Sequence, residues 1–101
     1  MSLDSIETQM KQKLQFAPPL KAKVCFDFGD DGALSVDTNE SPASFVHELS
    51  EDADLKLTCK MDTFQGILNG TQDPNIAFMM GKLKVKGNMG LAMKLNGILE
   101  D

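Results

Sequence analysis

Period-two alternation of apolar and polar residues is the feature that most limits what this chain can fold into. It is clearest in KAKVCFDF, from Lys21 to Phe28, where every second residue is apolar. Because successive side chains of a strand point to opposite faces, the pattern predicts a strand with one buried face. The alternation returns at residues 34–36, 45–49, 55–60 and 82–85, with short turns separating the first four segments. We expect five strands with mostly antiparallel pairing.

Helical periodicity accounts for much of the remaining chain. The predicted helices cover residues 2–15, 62–70, 73–80 and the segment from 89 onward. Pro18 and Pro19 end the first helix, and Asp62, Asp73 and Asn88 are candidate N-caps of the other three. A chain of 101 residues with no linker or internal repeat has the size of one domain, so we predict a single domain over residues 1–101.

The composition argues against several partners and locations. The formal net charge is −5, all ten basic residues are lysine, and tryptophan and tyrosine are absent. Without excess positive charge, planar guanidinium groups or large stacking surfaces, we do not expect nucleic-acid binding. No stretch is apolar enough to span a bilayer, and the N-terminus does not have the pattern of a secretory signal, so we expect a soluble intracellular chain.

Candidates for catalysis or metal binding are few. His47 is the single histidine, which leaves a zinc site short of ligands, and the sequence favours no nucleophile with a base beside it. The alternation places Cys25 on the polar face of one strand and Cys59 on the apolar face of another. We expect two reduced thiols, of which Cys25 is the more reactive. We predict no catalytic residue, no metal and no cofactor, and we interpret the loop from Gly87 to Gly90 as a tight structural turn.

The last predicted helix has two apolar faces. At 100° per residue, Met89 and Met93 fall on one arc, and a second arc holds Leu91, Ala92, Leu95, Ile98 and Leu99. One stripe is enough to cover a sheet, so the methionine face either fills an irregular core or meets another helix, a partner or a bound apolar molecule. Methionine suits a varied guest because its side chain is unbranched and polarizable. The pattern alone leaves these interpretations open.

One segment also resembles a known family. GKLKVKGNMGLAMKL, from Gly81 to Leu95, together with Asp73-Pro74 and Ala77-Phe78, is similar to the C-terminal signature of the sterol carrier protein type-two domain. The similarity is dense over residues 55–95 and looser over residues 16–50. The resemblance implies an α+β fold in which helices cover one face of a five-stranded, mostly antiparallel sheet. It further implies an apolar cavity between the layers that accepts fatty acids, fatty acyl-CoA, phospholipids or sterols.

Carried over by position, the ligand-binding lining of that family falls on two helices, the fifth strand and the last helix. The predicted lining residues are Phe64, Ile67, Leu68, Ile76, Phe78, Met79, Met80, Leu83, Val85, Met89, Leu91, Ala92 and Met93.

The resemblance predicts non-enzymatic lipid binding, with intracellular lipid transfer as the activity, by a monomer or weak dimer. The alternative is an accessory or protein-interaction module of the same fold whose core is filled by its own side chains. The sequence ends Leu99-Glu100-Asp101 and not with a peroxisomal tripeptide, which favours the cytoplasm.

Lysines recur in the fourth and fifth predicted strands. If these strands are neighbours, five lysines share one face: Lys56, Lys60, Lys82, Lys84 and Lys86. Such a face suits transient contact with an anionic membrane or with the phosphates of a CoA ester. The same lysines would also simply solubilise an exposed sheet surface, and the sequence does not decide between the two.

Overall fold

The computed structural model describes residues 2–18 and 20–99. Its helices are α1 (Leu3–Gln15), α2 (Met61–Asn69), α3 (Pro74–Met79) and α4 (Met89–Leu99). Its strands are β1 (Lys23–Asp27), β2 (Ala33–Asp37), β3 (Ser44–Val46), β4 (Leu55–Cys59) and β5 (Leu83–Gly87). The predicted α+β fold with five strands is confirmed, although β3 is shorter than predicted. None of the described helices combines the length and apolarity of a membrane span.

The five strands form one open sheet in the order β3-β2-β1-β4-β5. The pairs β1–β2, β2–β3 and β4–β5 are antiparallel, which confirms the predicted mostly antiparallel pairing. The central pair β1–β4 is parallel, with Val24 opposite Leu55. This parallel pair arises because the chain leaves the edge strand β3 and crosses the sheet through residues 47–54 before β4 begins.

The prediction that Cys25 lies on an open polar face is wrong, because Cys25 is fully buried. The chain between β3 and β4, residues 47–54, covers this face, and we call it the crossing segment. Cys25 pairs with Ser35 of β2, so both side chains point to the same face of the sheet. The Ser35 hydroxyl donates a hydrogen bond to the Glu48 carbonyl oxygen at 2.6 Å, which fixes the crossing segment over this pair. Period-two alternation identifies the face of Cys25 correctly but does not reveal that the chain returns to cover it.

The core lies between the other face of the sheet and the helices. Phe26 of β1 and Phe64 of α2 have ring centroids 5.0 Å apart, and Phe28 lies 5.4 Å from Phe64. The helix α1 adds Ile6 and Met10, both almost fully buried, to the same cluster. Full burial of such side chains stabilises the fold by about 1.5–3 kcal/mol each.

Helix ends mostly follow the predicted capping residues. The Asp73 carboxylate accepts hydrogen bonds from the Asn75 and Ile76 amides, and the Asn88 side-chain oxygen accepts one from the Leu91 amide at 3.2 Å. Both predicted caps are therefore confirmed.

The predicted cap Asp62 is wrong by two positions, because Lys60 is the N-cap of α2. The helix α2 begins at Met61, after Lys60 in an extended conformation, and Asp62 lies in its first turn. Met61 is buried in the core, so packing of its side chain brings it into the helix. An acid in the first turn still interacts favourably with the helix dipole.

The turn after β5 depends on a glycine. Gly87 has φ of +120°, and a Cβ atom there would collide with the carbonyl oxygen of Asp54. The same carbonyl oxygen accepts a hydrogen bond from the Asn88 amide at 3.3 Å, so the turn holds the start of α4 against β4. The interpretation of Gly87 to Gly90 as a structural turn is consistent with this geometry.

We expect Gly87→Ala to lower the free energy of unfolding by about 3 kcal/mol or more, because the cost of backbone strain and the cost of the collision with the Asp54 carbonyl oxygen are summed. Gly81→Ala is the matched control: Gly81 has φ of +77°, but a Cβ atom there meets nothing within 4 Å. Backbone strain alone should lower the free energy of unfolding of this control variant by about 1 kcal/mol. Urea unfolding of both variants measures the difference, and equal losses would contradict the role of the Asp54 contact.

Candidate functional site

His47 connects the end of β3 to α1. Its Nε2 atom lies 2.8 Å from the Glu7 carboxylate and 3.9 Å from the Asp4 carboxylate. The hydrogen bond from Lys11, together with the contact to His47, holds the pKa of Glu7 below its usual value although partial burial opposes this. No group of three metal-ligating side chains occurs within residues 2–18 and 20–99. His47 therefore links the end of β3 to α1 through its contact with Glu7.

Both cysteines are free thiols in the sheet. Burial raises the pKa of the Cys59 thiol to about 12, and Cys25 is enclosed below the crossing segment. A thiolate is the reactive form of cysteine, so neither residue is placed to act as a nucleophile.

We expect neither thiol of the folded protein to react with Ellman's reagent at pH 8. At that pH, a thiol with a pKa of about 12 is ionised in about one molecule in ten thousand. Absorbance at saturation should show two reactive thiols only after unfolding in guanidinium chloride. Fast labelling of one thiol in the folded state would contradict the burial of Cys25 or Cys59.

The thirteen predicted lining residues divide into three groups by exposure. Five lie in the core: Phe64, Ile67, Leu68, Leu83 and Ala92. Two are half-buried: Val85 and Leu91. Six are exposed: Ile76, Phe78, Met79, Met80, Met89 and Met93. That these residues contact a ligand, and that a cavity lies between sheet and helices, both stay predictions.

We call the six exposed residues the methionine surface. They belong to α3, to the residue that follows it, and to α4, and both helices contact β5 at the edge of the sheet. Met79 is 83% exposed and Met93 is 74% exposed. Met89 and Met93 lie four residues apart on one face of α4, and Met79 and Met80 are adjacent in the chain, so large apolar side chains are exposed together on each helix, as in binding surfaces.

Local sequence explains why these side chains remain outside. The helix α3 is apolar almost all round, and it buries only Pro74 and Ala77, so its other apolar side chains face outward. In α4 the arc that contains Ala92 and Leu95 is buried while Met89 and Met93 are exposed, which confirms the two apolar faces predicted for this helix.

A pocket of about 830 Å³ lies between α1, α2 and α4, on a side of the helical layer that the sequence did not indicate. Its apolar walls include Leu20, Leu68 and Ile98, and Phe16 stands at its edge, 87% exposed. Leu68 is the one predicted lining residue that reaches it. The helices that form the pocket are far apart in sequence, so no local motif could have identified it.

The lysine face is partly as predicted. The strands β4 and β5 are neighbours, with Lys56 opposite Lys86 and Thr58 opposite Lys84. Lys60 and Lys82 lie just beyond the ends of these strands, and both are exposed. Lys56 is half-buried, with its Nζ atom 3.8 Å from the Asp27 carboxylate. The exposed lysine charges within the two strands therefore lie on β5, at Lys84 and Lys86.

Comparison with known proteins identifies a protein family whose model matches almost the whole chain. The model of the SCP-2 sterol transfer family matches residues 3–100. Sterol carrier protein 2 of Homo sapiens is 36% identical over 70 residues, which are 69% of this chain and 13% of that protein. The chain thus matches about an eighth of the length of that curated relative.

Two solved structures share the fold. The apo form of sterol carrier protein 2 from Yarrowia lipolytica has a TM-score of 0.67 and 28% identity, and the match covers 95% of this chain and 77% of that one. Palmitated SCP2L2 from Aedes aegypti has a TM-score of 0.73 and 16% identity, with 100% of this chain and 96% of that one covered. The second likeness shows the fold alone.

Proposed function

The chain belongs to the SCP-2 sterol transfer family, and we propose that it binds lipid at the methionine surface and transfers it without catalysing a reaction. Lipid binding and transfer is the activity of this family. The observation that carries the proposal for this chain is the exposure of six large apolar side chains on two helices that contact the edge strand β5.

The ligand class that we propose is a fatty acid, fatty acyl-CoA, phospholipid or sterol-like lipid. Burial of an alkyl chain yields about 0.8 kcal/mol per methylene, so such a surface discriminates weakly between lipids of similar length. Four of the six side chains are methionines, which repack around guests of different shape. The palmitated Aedes structure supports a fatty acid as one member of this class.

Lysines of the outer strand add a second element to the proposal. Lys84 and Lys86 are exposed on β5, the strand that α3 and α4 both contact. Each lysine near an anionic membrane surface contributes about 1 kcal/mol to attraction. We therefore propose that this strand guides the protein to anionic membranes or holds the phosphates of a CoA ester.

A second candidate function is an accessory or protein-interaction module. Phe64, Ile67 and Ala92 pack in the core against the protein's own side chains, which is what a filled version of the fold requires. The curated relative is also much longer than this chain. In this case a protein partner, and not a lipid, would cover the methionine surface.

We expect Met79→Gln and Met93→Gln each to weaken binding of a fluorescent fatty acid roughly threefold to tenfold. Each change keeps the length of the side chain but makes its end polar, so it removes apolar contact with a ligand. Leu49→Gln is the control, because Leu49 is 55% exposed outside the methionine surface. Fluorescence titration gives the three dissociation constants.

Unchanged affinity in both methionine variants would contradict the methionine surface as the lipid contact. A folded wild-type protein that binds no fatty acid, acyl-CoA, phospholipid or sterol would favour the interaction module.

We expect the protein to sediment with phosphatidylcholine vesicles that contain phosphatidylserine, and to dissociate as salt concentration rises. Lys84→Glu should weaken this association roughly tenfold, whereas Lys21→Glu, with the same change in net charge away from β5, should weaken it less. Association that is indifferent to salt and to phosphatidylserine would remove the membrane contact from the proposal.

A further inference from the structure

We infer that the outer edge of β5 is a docking site for an extended, acidic segment of a protein partner, which would join the sheet as a further strand. The strand order places β5 at one end of the sheet, so it pairs on its inner side only, with β4. An edge strand offers its free backbone N–H and C=O groups to another strand. The site consists of backbone and lysines and not of the methionine surface, so it does not depend on lipid binding.

The outer edge of β5 is open. Within residues 2–18 and 20–99, residues 83–87 make no backbone hydrogen bond other than those of the ladder with β4. Gly87 is exposed, and because glycine has no side chain, this exposure belongs to its backbone. Lys84 and Lys86 are exposed as well. Backbone hydrogen bonds supply the affinity in strand addition, so the open edge meets its first requirement.

Three lysines give this edge a positive charge that the protein itself does not compensate. Lys82, just before β5, and Lys84 and Lys86 within it occupy alternate positions. None of the three makes an ion pair in the described part of the chain. Residues 74–99 contain no acid, although the whole chain has a net charge of −5. The segment that this edge fits therefore carries carboxylates.

The alternation along β5 also defines the pattern of the partner segment. Lys84 and Lys86 point to one face of the sheet, and Leu83 and Val85 point to the other. Leu83 is buried in the core, so the second face is the one that the helices cover. An added strand would place alternate side chains beside the lysines and the others beside Val85, which is half-buried. We expect acidic and apolar residues to alternate over the five-residue length of β5.

Two other occupants fit this edge less well. Antiparallel pairing of β5 with β5 of a second copy would bring lysines together on one face, which is destabilising, and β3 at the other edge of the sheet is only three residues long. An anionic membrane would attract the lysines but provides no backbone to match the donors and acceptors of the edge. A peptide segment satisfies both the charge and the backbone groups.

The test is an NMR titration of the protein with the acetylated and amidated peptide Thr-Glu-Val-Glu-Val-Glu-Thr, followed at the backbone amides of residues 83–87. We expect these amides to shift and to exchange more slowly with solvent when the peptide is bound. The matched control Thr-Glu-Glu-Glu-Val-Val-Thr has the same composition and charge without the alternation. It should bind about fivefold or more weakly, and equal binding would overturn the pattern.

Backbone pairing is tested with the first peptide carrying N-methyl groups on its central glutamate and on the valine that follows it. These two amides point to opposite edges of a strand, so the methyl groups block pairing by either edge and leave the charge unchanged. We expect binding to weaken roughly tenfold or more. Equal affinity of the methylated and unmethylated peptides would overturn strand addition.

The contribution of the lysines is tested with two double variants. Lys84→Gln combined with Lys86→Gln should weaken binding of the peptide roughly fivefold to tenfold. Lys21→Gln combined with Lys94→Gln makes the same change in net charge at exposed positions outside β5, and should stay within about twofold of wild type. Equal losses in the two double variants would overturn the edge lysines as the contact with the acidic segment.

The outcomes separate this docking site from the proposed function. Binding to phosphatidylserine vesicles, with the amides of residues 83–87 unmoved by the peptide, would overturn the docking site and leave the proposed membrane contact standing. Shifts of the same amides with protein concentration alone would assign the edge to a second copy and overturn the acidic partner. A protein that binds the peptide at β5 but binds no fatty acid, acyl-CoA, phospholipid or sterol would support the docking site and overturn lipid binding.

Discussion

The parallel pairing of β1 with β4 is the interaction on which the rest of the structure depends. Asp54, just before β4, secures it: its amide donates to the Lys23 carbonyl oxygen at 2.8 Å, and its carboxylate accepts the Lys23 amide at 3.0 Å. Its own carbonyl oxygen accepts the Asn88 amide, so one residue joins β1, β4 and the start of α4. This pairing requires the chain to cross the sheet after β3, which buries Cys25. It also leaves β5 at the edge, where α3 and α4 expose their apolar side chains.

Division of the apolar residues between core and surface determines what the fold can bind. Phe64 and Met79 are both large and apolar, yet Phe64 is fully buried and Met79 is largely exposed. The core is built from the protein's own side chains, and in our proposal a lipid therefore contacts the methionine surface. This surface presents methionines on two helices that contact the lysine-bearing edge strand β5.

The sequence predicted features that depend on near neighbours in the chain. Alternation identified the strands, and Asp73 and Asn88 were recognised as caps because capping needs only the next few amides. The start of α2 was misplaced because burial of Met61, a tertiary effect, extended the helix at its N-terminus. Parallel pairing, the burial of Cys25 and the pocket were missed for one reason: each depends on elements distant in sequence, such as the crossing segment over Ser35 or α4 beside α1. The two faces of α4 were predictable, but which face meets solvent was not.

Native mass spectrometry of the purified chain, with organic extraction of any bound molecule, is the most direct test of lipid binding. We expect a population whose added mass matches a fatty acid, an acyl ester, a phospholipid or a sterol-like lipid identified in the extract, or a population that appears on incubation with a fatty acid. A folded protein that shows only its own mass, both as purified and after incubation with fatty acids and sterols, would contradict lipid binding and favour a protein partner on the methionine surface.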